Sequence, residues 1–338
     1  MLRDCGEVWA RVEELIDAAP STEALRAHGV HLLAAAVWRS RGRTVPDEVR
    51  ADERRAAAMA MAAPLLLRRA RAAYPGPLLL MKGPEAAARY PDPGTRYFRD
   101  LDLLAGDAPA AQRALTAAGF VEVGSPAEYA DRQHLCPLAW PGLPLVVELH
   151  RVPNRPAWLA PPPAEEILRL AVPSATGVDG LLAPAPAAHA LLLAAHGWAH
   201  KPLGRLVDLI DLAAVLGPGD RALAAELARA WGWEGIWRVA LGAADALIGA
   251  RDRSRSLSIW ARHLEGVRDR SVLEDHLARV AAPACTVSLR RLPSALGANL
   301  SRTVGRRGHE RWADKLRRSR LAVAHAFMDR SEHERTLP

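Results

Sequence analysis

Two aspartates with one residue between them, Asp100 and Asp102, have the side chains and spacing to bind a metal ion. They lie in the run DLDLL that ends at Leu104, and side chains in a strand alternate between its two faces. Both carboxylates would therefore point to one face, while the leucines point into a core. Neighbouring carboxylates repel one another unless a cation lies between them, and Mg²⁺ takes oxygen ligands of this kind. The alternative is an edge strand with two solvated aspartates.

A third acid lies in the apolar run LVVELH, which ends at His150. Glu148 and His150 share one face of the strand that this run predicts, and a lone acid there is costly to bury without a partner. If this strand lies near the first, Glu148 completes a three-carboxylate site of the kind that holds two Mg²⁺ ions. Such a site supports phosphoryl transfer, which depends mainly on positioning and charge neutralisation. We expect His150 to orient Glu148 or to contact substrate.

The segments around these acids predict a small α+β unit between helical regions. Apolar residues recur at helical spacing before about Tyr74, and the apolar run LLLM ending at Met81 predicts a central strand. A helix is predicted over 108–118, and further strands over 100–104, 120–123, 133–140 and 145–152. The predicted fold class is α+β, with a small mixed β-sheet core flanked by N-terminal and C-terminal helical regions.

These patterns divide the chain into four predicted parts. The α+β core is expected over 76–155, after an N-terminal helical region over 1–75. A Pro-rich linker with a short helix is expected over 156–183, and a C-terminal helical region with a basic tail over 184–338.

Composition narrows the classes of protein and partner. The 338 residues carry a formal net charge of +7, which favours anionic partners such as nucleotides, nucleic acid or acidic peptides. The three cysteines are far apart and show no zinc-binding spacing, which indicates a reducing compartment. The N-terminus does not resemble a signal peptide, and no apolar run is long enough to span a bilayer. We therefore expect a cytoplasmic protein without membrane association.

Three stretches carry a resemblance to a known family: LLLMKGPEAAARYPDPGTRYFRDLDLL, VVELHR and HGWAHKPLGRLVDLIDL. With ALRAHGVHLLAAAVW near the N-terminus, they resemble the uncharacterised nucleotidyltransferase family of the polymerase-β-like nucleotidyltransferase superfamily, over about Ser21 to Leu216. The resemblance implies an enzyme that moves a nucleoside monophosphate from an NTP, with ATP expected, to a hydroxyl or phosphate acceptor. The acceptor would be a small molecule, sugar, peptide or protein. Asp100, Asp102 and Glu148 would be the catalytic acids that bind Mg²⁺.

Four further residues are expected to bind the nucleotide. In the wider superfamily the first strand ends in Gly-Ser, but here Lys82-Gly83 stands at that place. We expect Gly83 to let the backbone approach the phosphates closely and Lys82 to supply a positive charge. Arg96 matches the arginine that precedes the acids in the family. Arg99 replaces an expected small residue, and it either pairs with an acid in the resting state or crowds the nucleotide.

The third stretch of the resemblance predicts residues that line the cleft. His196 and His200 lie four apart on one helix and share a face, so they are expected to contact nucleotide or acceptor. The alternative is that both are ordinary surface histidines. Arg205 and Asp208 are three apart, which favours a structural ion pair on the helix surface. The resemblance implies a further role for them beside the substrate, in holding this helix against the catalytic unit.

A basic C-terminal segment leaves other functions open. Its basic side chains would bind a phosphate backbone or an acidic partner, or would only be solvated. They are Arg290, Arg291, Arg302, Arg306, Arg307, Arg311, Lys315, Arg317, Arg318 and Arg320. One alternative function is therefore an RNA-modifying transferase, although only Trp312 lies in this segment to stack on bases. The other is a catalytically inactive module of the same fold that binds a nucleotide or peptide.

Overall fold

The computed structural model describes residues 5–130, 132–217, 219–249 and 260–304. Within these ranges the strands form one mixed sheet, in the order β3-β4-β5-β2-β1-β7-β6. The strands are β1 (Leu78–Leu80), β2 (Asp100–Ala105), β3 (Val121–Glu122), β4 (Leu138–Ala139), β5 (Val146–His150), β6 (Ala171–Pro173) and β7 (Leu182–Pro184). The predicted fold class, a mixed sheet flanked by helical regions, is confirmed.

Helices precede the sheet, connect its strands and follow it. The helices are α1 (Cys5–Asp17), α2 (Thr22–Ala27), α3 (His31–Ser40), α4 (Asp47–Ala73), α5 (Pro84–Ala87), α6 (Ala108–Ala117), α7 (Ala164–Arg169), α8 (Pro186–His200), α9 (Leu206–Val215), α10 (Asp220–Ala230), α11 (Glu234–Leu247), α12 (Arg262–Glu265), α13 (Val272–Thr286) and α14 (Leu292–Val304). Side chains cap several of them, and Ser271 begins α13 with a complete capping box.

The centre of the sheet combines both strand directions. Strand β1 runs antiparallel to β2 and parallel to β7, and β2 runs parallel to β5. Parallel neighbours place residues of matching register side by side on the same face. This pairing brings the two acid-bearing strands, β2 and β5, into contact.

Alternation along β2 separates two hydrophobic cores. Leu101 and Leu103 are fully buried in one core, together with residues of α4 and α6. Leu104 points to the opposite face and joins a second core formed with α8, α9 and α11. Asp100 and Asp102 have the same parity as Leu104, so they lie on the face that the C-terminal helices cover. The prediction that the leucines enter a core while the acids share the other face is confirmed.

The sheet extends beyond the predicted strands. Strands β6 and β7 form within 156–183, the segment predicted to be a linker with a short helix, and Leu79 of β1 pairs with Leu182 of β7. Each has three residues and ends in proline, so neither shows an alternating pattern that sequence reading detects. The strand predicted over 133–140 is confined to β4 and an isolated bridge from His134 to His150. The division of the chain into domains stays a prediction.

The described C-terminal region contains part of the predicted basic segment. Arg290 and Arg291 are exposed, and Arg302 lies in α14. The remaining cations of that segment, from Arg306 to Arg320, lie outside the described residues. No helix within the described ranges is long and apolar enough to cross a bilayer.

Candidate active site

The parallel register of β2 and β5 places the acids next to one another. Asp102 pairs with Glu148, Asp100 with Val146, and Leu104 with His150. The side chains of Asp102 and His150 are almost completely buried, whereas the Asp100 side chain is 34% exposed. The acid face is therefore closed at the His150 end and open to solvent at the Asp100 end.

Three side chains converge on one point of this face. Nε2 of His150 donates a hydrogen bond to Oδ1 of Asp102 at 2.9 Å and lies 3.8 Å from Oε2 of Glu148. One ligand atom from each of Asp102, Glu148 and His150 lies within 4.8 Å of the other two. Carboxylate oxygens suit Mg²⁺, and a histidine hydrogen-bonded to a ligating carboxylate orients it. These three side chains therefore fit a divalent metal ion. Asp100 lies next to them, on the side of the site that is open to solvent.

Lys82 supplies the positive charge of the site. It lies two residues after the end of β1, and its Nζ lies 3.0 Å from Oδ2 of Asp102 and 3.6 Å from Oδ2 of Asp100. On the other side, Nζ lies 3.3 Å from Nε2 of His196 in α8. The ammonium thus lies between the two aspartates and contacts the helix that covers this face.

The turn after Lys82 depends on glycine. Gly83 has a φ of +67°, and a Cβ at this position would lie 3.2 Å from the carbonyl oxygen of Asp100. Glycine adopts this backbone conformation without strain and lets the turn pass close to β2. Behind the turn, the buried carboxylate of Glu85 accepts hydrogen bonds from Ser174 Oγ and Ala175 N, at 2.6 and 3.0 Å. These bonds tie α5 to the loop between β6 and β7.

The charges on this face shift the pKa values of the two paired acids in opposite directions. Burial alone would raise the pKa of Asp102, but the Lys82 ammonium and the His150 N–H outweigh it and hold that pKa well below its usual range. Burial, and then the neighbouring Asp102 and Asp100, raise the pKa of Glu148 from 4.5 to about 7. Glu148 is therefore the carboxyl group that is costly to ionise without an added cation.

Arg96, predicted to bind nucleotide, lies in a buried ion pair. Its Nη2 donates to Oδ2 of Asp211 at 2.5 Å and its Nε to Oδ1 at 3.2 Å. The Tyr90 hydroxyl also donates to Oδ1 of Asp211, at 2.7 Å. Asp211 belongs to α9, so these bonds hold the loop before β2 against the C-terminal helices.

The other predicted site residues lie around the cleft, with different partners. Arg99 is exposed, and within the described residues the cation beside the acids is Lys82. The rings of His196 and His200 are 4.5 Å apart, and Nε2 of His200 accepts a hydrogen bond from Asn154 Nδ2 at 2.8 Å. The ion pair predicted for Arg205 and Asp208 is present, with contacts of 2.5 and 3.1 Å.

Sequence reading missed four residues that shape this site: His134, Glu85, Asn154 and Asp211. His134 places Nε2 3.8 Å from Oε2 of Glu148, and its ring lies 5.3 Å from that of His150. An acid directly after Gly83-Pro84 in an alanine-rich helix was a signal for Glu85. Asp211 lies in an apolar stretch of α9, where a lone acid also needs a partner. The sequence carries no comparable signal for His134 or Asn154.

The mixed sheet carries acids on two parallel strands, with a Lys-Gly turn beside them. A family model described as uncharacterised nucleotidyltransferase matches residues 15–249, and the chain belongs to that family. The match covers the sheet and continues beyond Leu216 through α10 and α11. No curated protein and no solved structure matches the chain. The resemblance in the sequence is thus confirmed: the protein is a nucleotidyltransferase, and its family implies an NTP substrate.

Proposed function

We propose that this protein transfers a nucleoside monophosphate from an NTP, ATP in the first instance, to an acceptor hydroxyl or phosphate and releases pyrophosphate, with Mg²⁺ as cofactor. The observation that carries the proposal is the pairing of Asp102 with Glu148 across parallel strands, with Asp100 on the same face. Two Mg²⁺ ions held by these three acids would neutralise the triphosphate and make the acceptor oxygen more nucleophilic. The free thiols of Cys136 and Cys285 suit the cytoplasm as its location.

Each residue has a separate part in this reaction. The acceptor oxygen forms a bond to the α-phosphorus while the bond from that phosphorus to the pyrophosphate oxygen breaks. For a hydroxyl acceptor, the Glu148 carboxylate accepts its hydrogen bond, orients it and receives its proton. His150 keeps Asp102 in position through its 2.9 Å hydrogen bond.

The nucleotide enters from the open side of the acid face. Gly83 keeps the backbone free of a side chain beside the acids, and Lys82 supplies the charge for the phosphates. His196 borders the same space, because it contacts the Lys82 ammonium. The acceptor belongs to one of four classes: small molecules, sugars, peptides or proteins.

The test compares wild type with Asp100→Asn and Asp102→Asn. Pyrophosphate release is measured with each of the four NTPs, with Mg²⁺ or EDTA, and with pooled sugar, peptide and RNA acceptors. Each substitution should reduce Mg²⁺-dependent release by at least about a thousandfold, because it removes charge from the acid cluster. Asp179→Asn, at an exposed position between β6 and β7, is the matched control and should retain full activity. Activity that survives Asp102→Asn would refute the assignment.

Calorimetry separates the enzyme from an inactive binding module of the same fold. The enzyme should bind ATP much more tightly with Mg²⁺ than with EDTA. Nucleotide binding that is insensitive to Mg²⁺, with no turnover on any acceptor, would favour the binding module. Turnover confined to RNA, with affinity that falls steeply with salt, would favour the RNA-modifying alternative.

A further inference from the structure

The Lys82 ammonium lies at a place that suits a metal ion. It is 3.0 Å from one oxygen of Asp102 and 3.6 Å from one oxygen of Asp100, between the two carboxylates. Any cation that binds both acids from this side has to share or take over that place. Lys82 therefore competes with a metal ion for this place, in addition to any contact that it makes with phosphate.

The backbone holds Lys82 in this place. Met81 N donates a hydrogen bond to Asp102 O at 2.9 Å, and Gly83 passes close to the carbonyl oxygen of Asp100. The main chain on both sides of Lys82 is thus fixed against β2. Only the side chain is able to move away from the acids.

The side chain itself is suited to exchange. An ammonium is a point charge on a flexible four-carbon stem and lacks the two-point geometry that locks an arginine onto a carboxylate. Its 3.6 Å distance from Asp100 is an ion pair without a short hydrogen bond. The Asp100 side chain is one-third exposed and has the longer of the two contacts to Lys82. A ligand that arrives from solvent therefore reaches Asp100 first.

Building on the proposed function, we propose that Lys82 is an internal counter-cation that couples metal entry to nucleotide entry. In the nucleotide-free protein the ammonium excludes a divalent ion from the place between Asp100 and Asp102. When an NTP arrives with its metal ion, the ammonium yields that place and pairs with a phosphate oxygen of the same nucleotide. A metal ion then fills the place between Asp100 and Asp102 only when substrate is present.

Charge balance supports this order of events. Three ionised carboxylates, from Asp100, Asp102 and Glu148, are neutralised by one divalent ion together with Lys82. A second divalent ion without nucleotide would leave the buried cluster with an excess of positive charge, which is unfavourable. The negative charge of a triphosphate removes that excess. The nucleotide-free protein should therefore hold one divalent ion, and the nucleotide complex two.

The experiment counts Mn²⁺ ions per chain by electron paramagnetic resonance, with and without α,β-methylene ATP, whose modified bridge blocks transfer. Wild type should bind one ion alone and two with the analogue. Without nucleotide, Lys82→Met should bind a second ion at least about tenfold more tightly than wild type does, since the loss of the ammonium lowers the excess positive charge of the two-ion cluster. Lys201→Met, the same change at the end of α8, is the matched control and should behave as wild type.

Three results would overturn the inference: two ions in wild type without nucleotide, one ion in wild type with the analogue, or no added ion in Lys82→Met. Where Lys82→Met does not fold, Lys82→Gln supplies the uncharged variant, and the two wild-type measurements are still able to refute the inference. Asp102→Asn shows which idea has failed. If wild type never binds Mn²⁺, the proposed function fails too. If Asp102→Asn abolishes binding while Lys82→Met equals wild type, only the role of Lys82 is lost.

Discussion

Two buried aspartates, Asp102 and Asp211, are paired with different sets of cations and hydrogen-bond donors. The Asp211 carboxylate accepts two hydrogen bonds from the Arg96 guanidinium and one from the Tyr90 hydroxyl. Asp102 is held by the Lys82 ammonium and the His150 N–H, and Glu148 pairs with it in register. In the Asp211 pair, one carboxylate is neutralised by one guanidinium. The arrangement around Asp102 leaves more negative charge than positive charge on one face of the sheet.

The difference indicates different uses of the same residue type. Although burial opposes it, the Arg96 guanidinium lowers the pKa of Asp211, and this pair joins the loop before β2 to α9. Nothing in that arrangement needs a further ligand. Glu148, in contrast, has its pKa raised to about 7 by burial and by Asp102 and Asp100. A site with such a surplus of acids is arranged to receive cations, at a cost to stability.

Arg96→Met should have the largest effect on stability. It would leave the Asp211 carboxylate buried without its cation, and loss of one partner of a buried pair costs about 3–5 kcal/mol. Urea denaturation measures the change in the free energy of unfolding. Arg205→Met is the matched control, because its pair with Asp208 is more exposed and should cost below about 1 kcal/mol. A stable Arg96→Met protein that has lost nucleotide affinity would instead place Arg96 in nucleotide binding.

Glu148→Gln should have the opposite sign and stabilise the metal-free protein. The pKa of Glu148 is about 7 in the fold against 4.5 for an unperturbed side chain, so the folded state holds its proton more tightly. That contribution to stability is complete below pH 4.5 and is lost as the pH rises through about 7. Glutamine does not ionise, so the variant should exceed wild type by roughly 1–3 kcal/mol at pH 8.

The measurement for Glu148→Gln is the melting temperature in EDTA at several pH values. The advantage of the variant should be small at pH 5 and grow towards pH 8. Glu226→Gln, at an exposed position on α10, should show no such trend. An advantage that is independent of pH would contradict the electrostatic explanation.

Gly83→Ala should have an intermediate effect that appears in both stability and activity. A side chain is strained at φ +67°, and the new methyl would press on the Asp100 carbonyl 3.2 Å away. We expect a loss of about 1–2 kcal/mol in stability and a weaker affinity for Mg²⁺-ATP, because the turn that carries Lys82 is displaced. Gly142→Ala also has a positive φ but no atom within 4 Å, so it should reduce stability and leave ATP affinity unchanged.

The parts of the site that sequence reading predicted depend on alternation within one strand. Two aspartates separated by one residue must share a face, and a lone glutamate in an apolar run must find a partner. The partners themselves depend on pairings between distant segments. Arg96 and Asp211 are 115 residues apart, and the contact of Lys82 with Asp102 follows from the antiparallel register of β1 and β2.

Strands β6 and β7 were not predictable for a related reason. A three-residue strand is too short to show a period of two, and its position beside β1 follows from the tertiary fold. The loop that anchors Glu85 therefore lay in a segment predicted to be a linker. The sequence predicted the residues of the acid face well and the scaffold around it less well.

Arg99→Ala should have the smallest effect on stability. It tests whether Arg99 attracts the nucleotide by its charge or crowds it. Arg99 is adjacent to Asp100 in sequence but is exposed, so its loss should change the free energy of unfolding by less than about 0.5 kcal/mol. If it binds nucleotide, as the sequence predicts, the Kd for Mg²⁺-ATP should rise a few-fold, and more so at low salt, where exposed charges are less screened. A lower Kd would mean that Arg99 crowds the nucleotide. Mn²⁺ binding without nucleotide should stay as in wild type, because Lys82 keeps its place between the aspartates.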